Sequence, residues 1–371
     1  MKLLHVVGAR PNFMKLAPVA RAATAAGGIT QVLVHTGQHY DAAMSDAFFG
    51  DLGLPVPDEN LGVGSGSHAE QTARIMLAFD PALVRHRPDW VLVYGDVNST
   101  VACALVAAKQ GVRIAHVEAG LRSRDRTMPE ELNRILTDQL ADLCFTPSRD
   151  GDANLLAEGI PAGRIRFVGN VMVDTLLALR DSARGRRMPE ALGVGEGDYA
   201  FVTLHRPSNV DDPRTLDELL KALEDLGRRM PVLFAVHPRT RGRIEQFGLS
   251  APNGPVRFLD PLGYLETVSL LDRAALVLTD SGGLQEETTV LGVPCLTARR
   301  STERPVTITE GTNRLVESSR AAVARAVTEV LAARVGGRYR PCRPELWDGR
   351  AGERIVAELQ PGARPTDGTT T

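Results

Sequence analysis

The chain has 371 residues, of which 43% are hydrophobic and 24% charged, and its formal net charge is −2. That length exceeds what one ordinary hydrophobic core serves, so we expect two domains of similar size. The near-neutral charge excludes the basic field that draws proteins onto nucleic acid or acidic lipid, so neither nucleic acid nor membrane is an expected partner.

Short apolar strands alternate with amphipathic helices in the first half of the chain. Strands are predicted at 3–7, 31–35, 90–94, 113–117, 143–147 and 164–168, and helices at 13–25, 70–84, 100–109 and 131–141. Such alternation, with nearly continuous apolar strands, indicates a parallel sheet covered on both faces. Residues 1–180 are therefore predicted to form a Rossmann-like domain.

The alternation resumes after residues 181–198, where charged residues, Gly and Pro predict a linker. Further strands are predicted at 199–204, 232–237, 256–259, 275–279 and 294–297, with helices at 215–228 and 283–291. A second Rossmann-like domain at 199–350 follows, then a helix at 351–359 and a tail, 360–371, expected to be disordered. The predicted fold class is α/β. Because ligands of such sheets bind beyond the carboxyl ends of the strands, we expect the active site in the cleft between the domains.

Four cysteines, Cys103, Cys144, Cys295 and Cys342, are spread along the chain without a CxxC pair. No run approaches the 18 or so apolar residues of a membrane span, and the N-terminal apolar run is short. Free thiols without a secretion signal are typical of a cytoplasmic protein.

The segment after the first strand, GARPNFMK at 8–15, lacks the GxGxxG pattern of dinucleotide binding, so no nicotinamide cofactor is expected. Pro11 suits the first turn of a helix, and Arg10 and Lys15 would flank the helix N-terminus. This combination suits a diphosphate. Two solvated basic side chains at a turn are the alternative.

Three carboxylates follow strand ends or begin a helix. Asp96 comes just after the strand at 90–94, as a helix cap or as an acid at the mouth of a site. Glu118 directly follows the apolar run RIAHV, and a buried Glu is rare without a partner or a function. Glu130 opens the helix after Pro129, where it suits the helix dipole. Together the three could converge on one site.

Other charges of this segment have simpler interpretations. Glu131 and Arg134 are expected to stabilise the helix at 131–141, and Arg134 could also steady Glu130. The remaining charged residues of the preceding loop are expected to be solvated or to fix the loop: Arg122, Arg124, Asp125 and Arg126.

In the second half, His205 ends a strand, either as a structural residue or as an imidazole that titrates near neutrality. The motif DSGGLQEE at 280–287 predicts a turn whose N–H groups form a diphosphate seat. Within it Glu287 is placed to accept hydrogen bonds from a ribose. Arg304, in TERP, could bind phosphate by a forked contact. No HxxxH, cysteine pair or Asp-rich loop indicates a metal site.

These motifs, in this order, resemble one family over about residues 1–316: the non-hydrolysing UDP-N-acetylglucosamine 2-epimerases. The motifs are GARPNFMK, GD at 95–96, HVEAGLR, PEELNR, HRP, DSGGLQEE and TERP. The resemblance implies a glycosyltransferase-B type fold with the helix at 351–359 crossing back onto the first domain. It implies cofactor-free interconversion of UDP-GlcNAc and UDP-ManNAc, by anti elimination of UDP to 2-acetamidoglucal and re-addition. A homodimer and a role in making cell-surface polysaccharide precursors are also implied.

The same resemblance assigns residues to roles. It implies catalytic acids at Asp96, Glu118 and Glu130 and a catalytic histidine at His205. Substrate-binding residues are implied at Arg10, Lys15, Thr267, Ser281, Gly282, Gly283, Glu287 and Arg304. A regulatory site, where a second UDP-GlcNAc activates the enzyme, would include Gln38, His39, Arg206 and His237.

Three segments depart from the family pattern. QHYD at 38–41 and HRPSN at 205–209 replace the QHR and HRRE of many bacterial members. Because Pro207 removes a fixed charge, we expect weakened activation by UDP-GlcNAc. A lag with pure UDP-ManNAc that a trace of UDP-GlcNAc abolishes would contradict this. In LGYLET, Leu262 and Thr267 stand where the family often has a glutamine and an aromatic near the uracil, which leaves backbone contacts to read the base.

Four alternatives remain open at this point. The chain could be a glycosyltransferase on the same scaffold, a hydrolysing relative that releases ManNAc and UDP, or a non-catalytic sensor of nucleotide sugars. It could also epimerise another UDP-2-acetamido sugar, such as a diacetamido uronic acid. The sequence does not assign which carboxylate removes the proton and which returns it.

Overall fold

A computed structural model of the chain describes residues 1–38, 52–252, 254–337 and 339–360. The chain divides into two compact units. Met1–Thr175 and the C-terminal segment from Glu345 form the first unit, and Leu176–Pro344 form the second. The predicted regulatory residue His39 and the predicted tail from residue 361 onward lie outside the described residues.

The described strands and helices follow the predicted alternation. The strands are β1 (Lys2–Val7), β2 (Thr30–His35), β3 (Glu59–Asn60), β4 (Trp90–Tyr94), β5 (Arg113–Val117), β6 (Leu143–Thr146), β7 (Ile165–Phe167), β8 (Ala200–Thr203), β9 (Val232–Ala235), β10 (Val256–Leu259), β11 (Leu276–Thr279), β12 (Cys295–Ala298) and β13 (Asn313–Val316). The α-helices are α1 (Arg10–Ala26), α2 (His68–His86), α3 (Asn98–Lys109), α4 (Pro129–Leu140), α5 (Arg149–Ala157), α6 (Val171–Gly185), α7 (Met188–Ala191), α8 (Pro207–Val210), α9 (Pro213–Gly227), α10 (Pro238–Gln246), α11 (Tyr264–Leu271), α12 (Gly282–Leu291), α13 (Val306–Thr309), α14 (Arg320–Val335) and α15 (Ala351–Leu359).

The first unit is built on a parallel sheet of seven strands in the order β3-β2-β1-β4-β5-β6-β7. Apolar side chains of β1 and β4, such as Val6 and Val93, pack with Ile75 and Phe79 of α2 in its core. α15 belongs to this unit: its Gly352 N–H donates to Asp174 at 2.8 Å, and its apolar face is buried. The strand order reverses between β1 and β4, where ligands of such sheets bind.

The second unit repeats the plan with a parallel sheet of six strands in the order β10-β9-β8-β11-β12-β13. Here the order reverses between β8 and β11. The residues predicted as a linker, 181–198, include the end of α6 and the short helix α7 and lie within this unit. Val194 is buried in the core of the second unit with Tyr199, which ties the segment to the sheet.

The fold class predicted from the sequence, α/β with two Rossmann-like sheets, is confirmed. Two strands were not predicted. β3 has only two residues, and β13 reads Asn-Arg-Leu-Val, so neither shows a continuous apolar run. Within the described part of the chain, every helix is too short or too polar to span a bilayer.

Candidate active site

In the first unit, a buried ion pair lies over the turn that follows β4. The Lys15 ammonium, on α1, donates to the carboxylate of Glu118, which directly follows β5. Both side chains are buried, with relative exposures of 6% and 5%. A Cβ on Gly95 would lie 2.5 Å from the Lys15 Nζ, so only glycine fits beneath the pair.

The backbone at Glu118 adopts a conformation that is rare for a residue with a side chain. Its φ is 73°, in the left-handed region. Such strain costs about 1–3 kcal/mol and is typical of functional sites, where the surrounding structure fixes it. The sequence predicts a buried Glu118 with a partner, and the structure gives Lys15 as that partner. The sequence predicts Lys15 as a cation that binds the diphosphate, and in the structure its ammonium is paired with Glu118.

The second carboxylate, Asp96, is held by an arginine of α4. The Nε and Nη2 atoms of Arg134 donate to Asp96 Oδ2 at 2.9 and 2.5 Å, and its Nη1 donates to Glu131 at 3.0 Å. Asn133 also donates to the Asp96 carbonyl at 2.9 Å. Asp96 is thus more than a helix cap, since one side of its carboxylate is neutralised by a nearly buried guanidinium.

Glu131 fixes the loop before α4. Its carboxylate accepts hydrogen bonds from the N–H of Ser123 and of Arg124, and from the Ser123 hydroxyl, at 2.8–2.9 Å. Burial acts to raise its pKa, but these hydrogen bonds and the one from Arg134 lower it. The prediction that Glu131 only stabilises its helix is incomplete, because the side chain also orders the segment behind Glu118.

The third carboxylate, Glu130, lies in the first turn of α4 and directly precedes Glu131 in the sequence. The side chain is half-buried. Among the residues that the structure describes, its carboxylate makes no hydrogen bond or ion pair. Glu130 is therefore available to a ligand, whereas Glu118 and Asp96 are each held by a cation.

The turn between β1 and α1 is shaped by Asn12, which sequence reasoning did not single out. Its Oδ1 accepts from the N–H groups of Gly8 and Ala9 at 3.1 and 3.0 Å, and its Nδ2 donates to the Tyr94 carbonyl at 2.8 Å. Asn12 thereby joins the turns after β1 and β4. Arg10, the first residue of α1, projects from this turn and is exposed.

The predicted regulatory residue Gln38 is buried next to this turn. Its Oε1 accepts hydrogen bonds from the Ser99 N–H at 3.1 Å and the Ser99 hydroxyl at 2.7 Å. A Cβ on Gly8 would lie 2.6 Å from the hydroxyl of Thr36, which is itself 2.8 Å from Ser99 Oγ. Gln38 thus serves the packing around the first turn of α3.

In the second unit, His205 and Asp280 form a hydrogen-bonded pair at the carboxyl ends of β8 and β11. Nδ1 of His205 is 2.9 Å from Asp280 Oδ1. The fully buried Asp280 carboxylate also accepts from the N–H groups of His205 and Arg206, and from Asn209 Nδ2, at 2.9–3.1 Å. Burial acts to raise the pKa of Asp280, but the hydrogen bond and charge of His205, with those other donors, lower it.

This pair fixes which nitrogen of His205 can take part in chemistry. Because the carboxylate accepts from Nδ1, the Nε2 atom is the one left to give or take a proton. The imidazole is partly exposed, at 40% of its side-chain surface. The arrangement suits a general acid or base.

His237 and Arg206, both predicted for the regulatory site, adjoin this pair within the second unit. The ring centroids of His205 and His237 are 5.6 Å apart, and His237 Nδ1 accepts from the Arg239 N–H as the N-cap of α10. Burial and the His205 charge lower the pKa of His237. Arg206 Nε donates to the Asp280 carbonyl at 3.2 Å.

The turn after β11 leads into α12 with the predicted Ser-Gly-Gly sequence. Ser281 is the N-cap residue, and α12 begins at Gly282. A Cβ on Gly282 would lie 2.7 Å from Nη1 of Arg304, whereas a Cβ on Gly283 would meet nothing within 4 Å. The space over Gly283 is therefore open at a helix N-terminus, where backbone N–H groups favour anions.

Arg304 is placed beside this helix start but is nearly buried and already paired. It donates to the Glu303 carboxylate, and its Nε is 2.9 Å from Glu286 Oε1. Arg299 donates to Glu303 at 2.7 Å, and Arg206 Nη2 is 3.8 Å away from the same carboxylate. Three arginines and two carboxylates thus lie together beside the start of α12.

The structure changes the interpretation of Glu287. The side chain is 5% exposed, and burial raises its pKa to about 8, with Glu286 adding to the rise and Tyr264 opposing it. The group is therefore mostly a neutral carboxylic acid at pH 7, able to donate as well as accept. Thr267 lies on the neighbouring helix α11, where its hydroxyl donates to the Gly263 carbonyl at 2.8 Å.

Raising the pH from about 4.5 to 8 is expected to destabilise the protein through Glu287. The unfolded chain loses this proton near its ordinary pKa of 4.5 and the folded chain near 8. The stabilising contribution is full below pH 4.5 and is lost as the pH rises to 8, at roughly 1.4 kcal/mol per pH unit. Thermal unfolding against pH should show a shallower fall for Glu287→Gln. Equal slopes in the two proteins would contradict this assignment.

In the described part of the chain, no group of three or more His, Cys, Asp or Glu side chains is arranged to hold a metal ion. Sequence reasoning missed several residues that shape the candidate site: Asn12, Asp280, Glu286 and Glu303. Asn12 and Asp280 have partners remote along the chain, Tyr94 and His205. Asp280 opens the DSGG motif directly after β11, and that position is the signal that could have identified it.

A family profile described as UDP-N-acetylglucosamine 2-epimerase matches residues 21–360. A UDP-N-acetylglucosamine 2-epimerase of Methanocaldococcus jannaschii is 40% identical over 370 residues, which is 98% of this chain and 100% of that protein. A UDP-2,3-diacetamido-2,3-dideoxy-D-glucuronate 2-epimerase of Pseudomonas aeruginosa is 44% identical over 324 residues, 86% of this chain and 89% of that protein.

A solved structure shows the same fold. The crystal structure of M. jannaschii UDP-GlcNAc 2-epimerase in complex with UDP-GlcNAc and UDP has a TM-score of 0.86 at 40% sequence identity. The likeness covers 97% of this chain and 99% of that chain. The glycosyltransferase-B type fold predicted from the sequence is thereby confirmed.

Proposed function

We propose that this chain, which belongs to the UDP-N-acetylglucosamine 2-epimerase family, interconverts UDP-GlcNAc and UDP-ManNAc without hydrolysing them. The observation that carries the proposal is the 40% identity, over 98% of the chain, to the M. jannaschii enzyme of that name. The carboxylates of the first unit and the His205–Asp280 pair of the second supply acid and base groups of the kind that this reaction needs.

The reaction runs by elimination and re-addition. A base removes the C2 proton as the C1–O bond breaks, so that a C1=C2 double bond forms and UDP leaves with the bonding electron pair. UDP oxygen then re-adds to C1 while C2 takes a proton on its opposite face. The C2 proton is hardly acidic until the C1–O bond begins to break, so the site must stabilise the departing diphosphate.

The carboxylates Asp96, Glu118 and Glu130 act on the sugar ring, as acid and base groups and as counter-charges to an oxocarbenium-like C1. Glu130 is the best supported, because it is half-buried and makes no hydrogen bond or ion pair with any described residue. His205 acts through Nε2, since Asp280 occupies Nδ1.

The diphosphate is bound at the start of α12 and by basic residues. Ser281, Gly282 and Gly283 offer the helix N-terminus. The cations assigned to the diphosphate are Arg10, Lys15 and Arg304. The nucleoside is assigned to Glu287, as a protonated acid beside the ribose, and to Thr267.

Gly283→Ala is expected to weaken binding of UDP-sugars without destabilising the protein. The added methyl group meets nothing within 4 Å in the folded chain, but it fills the space that a diphosphate would enter. We expect KM to rise about tenfold, a loss of about 1.4 kcal/mol. Gly282→Ala differs from it in stability, because its methyl group would clash with Arg304 and lower Tm. An unchanged KM for Gly283→Ala would contradict this placement of the diphosphate.

A second candidate substrate is a UDP-2,3-diacetamido uronic acid. The P. aeruginosa enzyme named for that substrate is 44% identical over 86% of this chain, and this identity favours the second substrate. Comparing kcat/KM for the two substrates tests the choice, because the better substrate shows the higher value. Free UDP formed in proportion to turnover would instead indicate the hydrolysing reaction, and transfer to an acceptor would indicate a glycosyltransferase.

Activation by a second UDP-GlcNAc is proposed to be weakened. Of the four residues assigned to that site, Gln38 is buried against Ser99, and Arg206 and His237 adjoin the His205–Asp280 pair. Pro207 begins α8 where many bacterial family members carry an arginine. The fixed charge at this position is therefore missing.

The active protein is proposed to be a homodimer that joins through an apolar helix face. This face consists of the outward residues of α2 and α4, Leu77, Val84, Leu132 and Leu136, which are 38–76% exposed, with α3 packed between the two helices. At 1.5 Å per residue the three helices are about 28, 18 and 18 Å long, and side by side, each about 10 Å wide, they offer at most roughly 640 Å², somewhat below the about 800 Å² that one partner contributes to a standard interface. Exposed apolar side chains grouped on one face in this way mark an interaction site.

Leu77→Glu combined with Leu136→Glu is expected to convert the dimer to a monomer. Light scattering during gel filtration should give about twice the 40.0 kDa chain mass for the wild type and the single mass for the variant. Val335→Glu, at a 91% exposed apolar residue of α14 in the other unit, is the matched control and should stay dimeric. A monomeric wild type would contradict the proposal.

We place the protein in the cytoplasm, in keeping with its four free cysteines.

A further inference from the structure

His116, two residues before Glu118 on β5, is fully buried and has a hydrogen-bond acceptor at each ring nitrogen. Nδ1 is 2.6 Å from Asp138 Oδ1, and Nε2 is 2.8 Å from the Gly95 carbonyl oxygen. A carbonyl oxygen can only accept, and so can an ionised carboxylate. Both ring nitrogens must therefore carry a proton, which makes His116 an imidazolium cation.

The charges around the ring balance this cation. Asp138 is also 2.7 Å from Arg122 Nη2 and accepts from the Gly120 N–H, and Arg122 binds Glu158 at 2.8 and 2.6 Å. Two cations and two carboxylates sum to zero. Burial acts to raise the pKa of Asp138, but the charges and hydrogen bonds of His116 and Arg122 lower it. Because Asp138 Oδ2 faces the Arg122 guanidinium and accepts from the Gly120 N–H, the carboxylate is ionised and the proton shared with His116 lies on the imidazole. Other polar groups near Asp138 are Cys144, whose thiol donates to its carbonyl, and Arg164.

The hydrogen bond to Gly95 reaches the turn that carries the catalytic carboxylates. The Gly95 N–H donates to the Val117 carbonyl at 3.0 Å, and the Gly95 carbonyl accepts from His116. Gly95 is thus held to β5 on both sides. It lies directly beneath the Lys15–Glu118 pair, and Asp96 is the next residue.

We propose that His116 is a positioning residue: a buried imidazolium that holds Gly95 in place and so fixes Asp96 and the Lys15–Glu118 pair for reaction. This inference rests on the proposed function for its catalytic consequence. His116 has no surface open to substrate, so it acts only through Gly95. Misplacing a reacting group by about 1 Å costs on the order of 10²-fold in rate.

Two substitutions separate the two hydrogen bonds. In His116→Gln the amide nitrogen takes the place of Nε2 and can still donate to Gly95, whereas in His116→Asn it takes the place of Nδ1 and can only reach Asp138. Both remove the ring and the cation, so their stabilities should fall together. We expect kcat to fall about 10²-fold in His116→Asn and about fivefold in His116→Gln, with KM unchanged in both. Equal kcat values at equal folded fraction would overturn the proposal.

The charge state is tested without any substrate. Nitrogen-15 spectra of the histidine-labelled wild type should show both ring nitrogens of His116 protonated in the neutral pH range, because each faces a hydrogen-bond acceptor. One unprotonated nitrogen in that range would overturn the assignment of a cation. A wild type that is inactive on UDP-sugars would overturn the proposed function and the positioning role in it, whereas the spectrum alone decides the charge of His116.

Discussion

Glu130→Gln is expected to lower kcat for UDP-sugar epimerisation by about 10²–10⁴-fold, the usual worth of a general acid or base. Stability should barely change. The carboxylate makes no hydrogen bond or ion pair with any residue in the described ranges, so its replacement removes only its interaction with the dipole of α4, worth about 0.3–1 kcal/mol. Steady-state kinetics and thermal unfolding on the same preparation measure the two effects separately.

Two further variants serve as comparisons for Glu130→Gln. Glu118→Gln should also lose activity, but it removes the carboxylate that pairs with buried Lys15, and breaking a buried pair costs about 3–5 kcal/mol. Glu353→Gln alters an exposed carboxylate in the first turn of α15 and should leave kcat unchanged. If Glu130→Gln keeps kcat within about threefold of the wild type, Glu130 does not transfer the proton.

Asp280→Asn is expected to lower kcat by about 10²–10⁴-fold, the range expected when a catalytic histidine loses the carboxylate that fixes its tautomer. The substituted amide keeps the shape of the side chain. Its NH2 group cannot accept the hydrogen bonds that one carboxylate oxygen now takes from the His205, Arg206 and Asn209 donors. Nitrogen-15 spectra of His205 should show the change of tautomer directly.

Asn209→Ala supplies the comparison for Asp280→Asn. It removes another side chain bound to Asp280, and its Nδ2 also bonds the Ala298 carbonyl, so we expect a loss of about 1–3 kcal/mol of stability. The His205–Asp280 hydrogen bond remains, so kcat should fall much less than in Asp280→Asn. Equal losses of kcat in the two variants would show that Asp280 acts only by supporting the loop.

The fold was largely predictable because its strands are short continuous apolar runs ended by glycine or charged residues. Glu118 could be identified for the same reason: an acidic side chain directly after a buried strand needs a partner. β3 and β13 escaped because two residues, or four with an exposed arginine, leave no pattern in the sequence. The order of the strands within each sheet decides the remaining features of the fold. The periodicity of the sequence does not report that order.

The partners within the candidate site were not predictable from local sequence. Lys15 and Glu118 are 103 residues apart, His205 and Asp280 are 75 apart, and they meet only because β1, β4 and β5, or β8 and β11, are neighbours in their sheets. Arg134 was expected to serve its helix or Glu130, and it binds Asp96 across 38 residues. Glu287 was expected as an acceptor, and its burial makes it a neutral acid at pH 7.

Incubation with UDP-GlcNAc in heavy water tests the central claim most directly. Elimination and re-addition exchanges the C2 proton with solvent, so proton spectra should show deuterium entering C2 of both UDP-GlcNAc and UDP-ManNAc as the two interconvert. In Glu130→Gln the exchange that accompanies interconversion should be slower by about 10²–10⁴-fold. Formation of UDP-ManNAc with the C2 proton retained, or binding of UDP-GlcNAc with neither exchange nor conversion, would contradict the account.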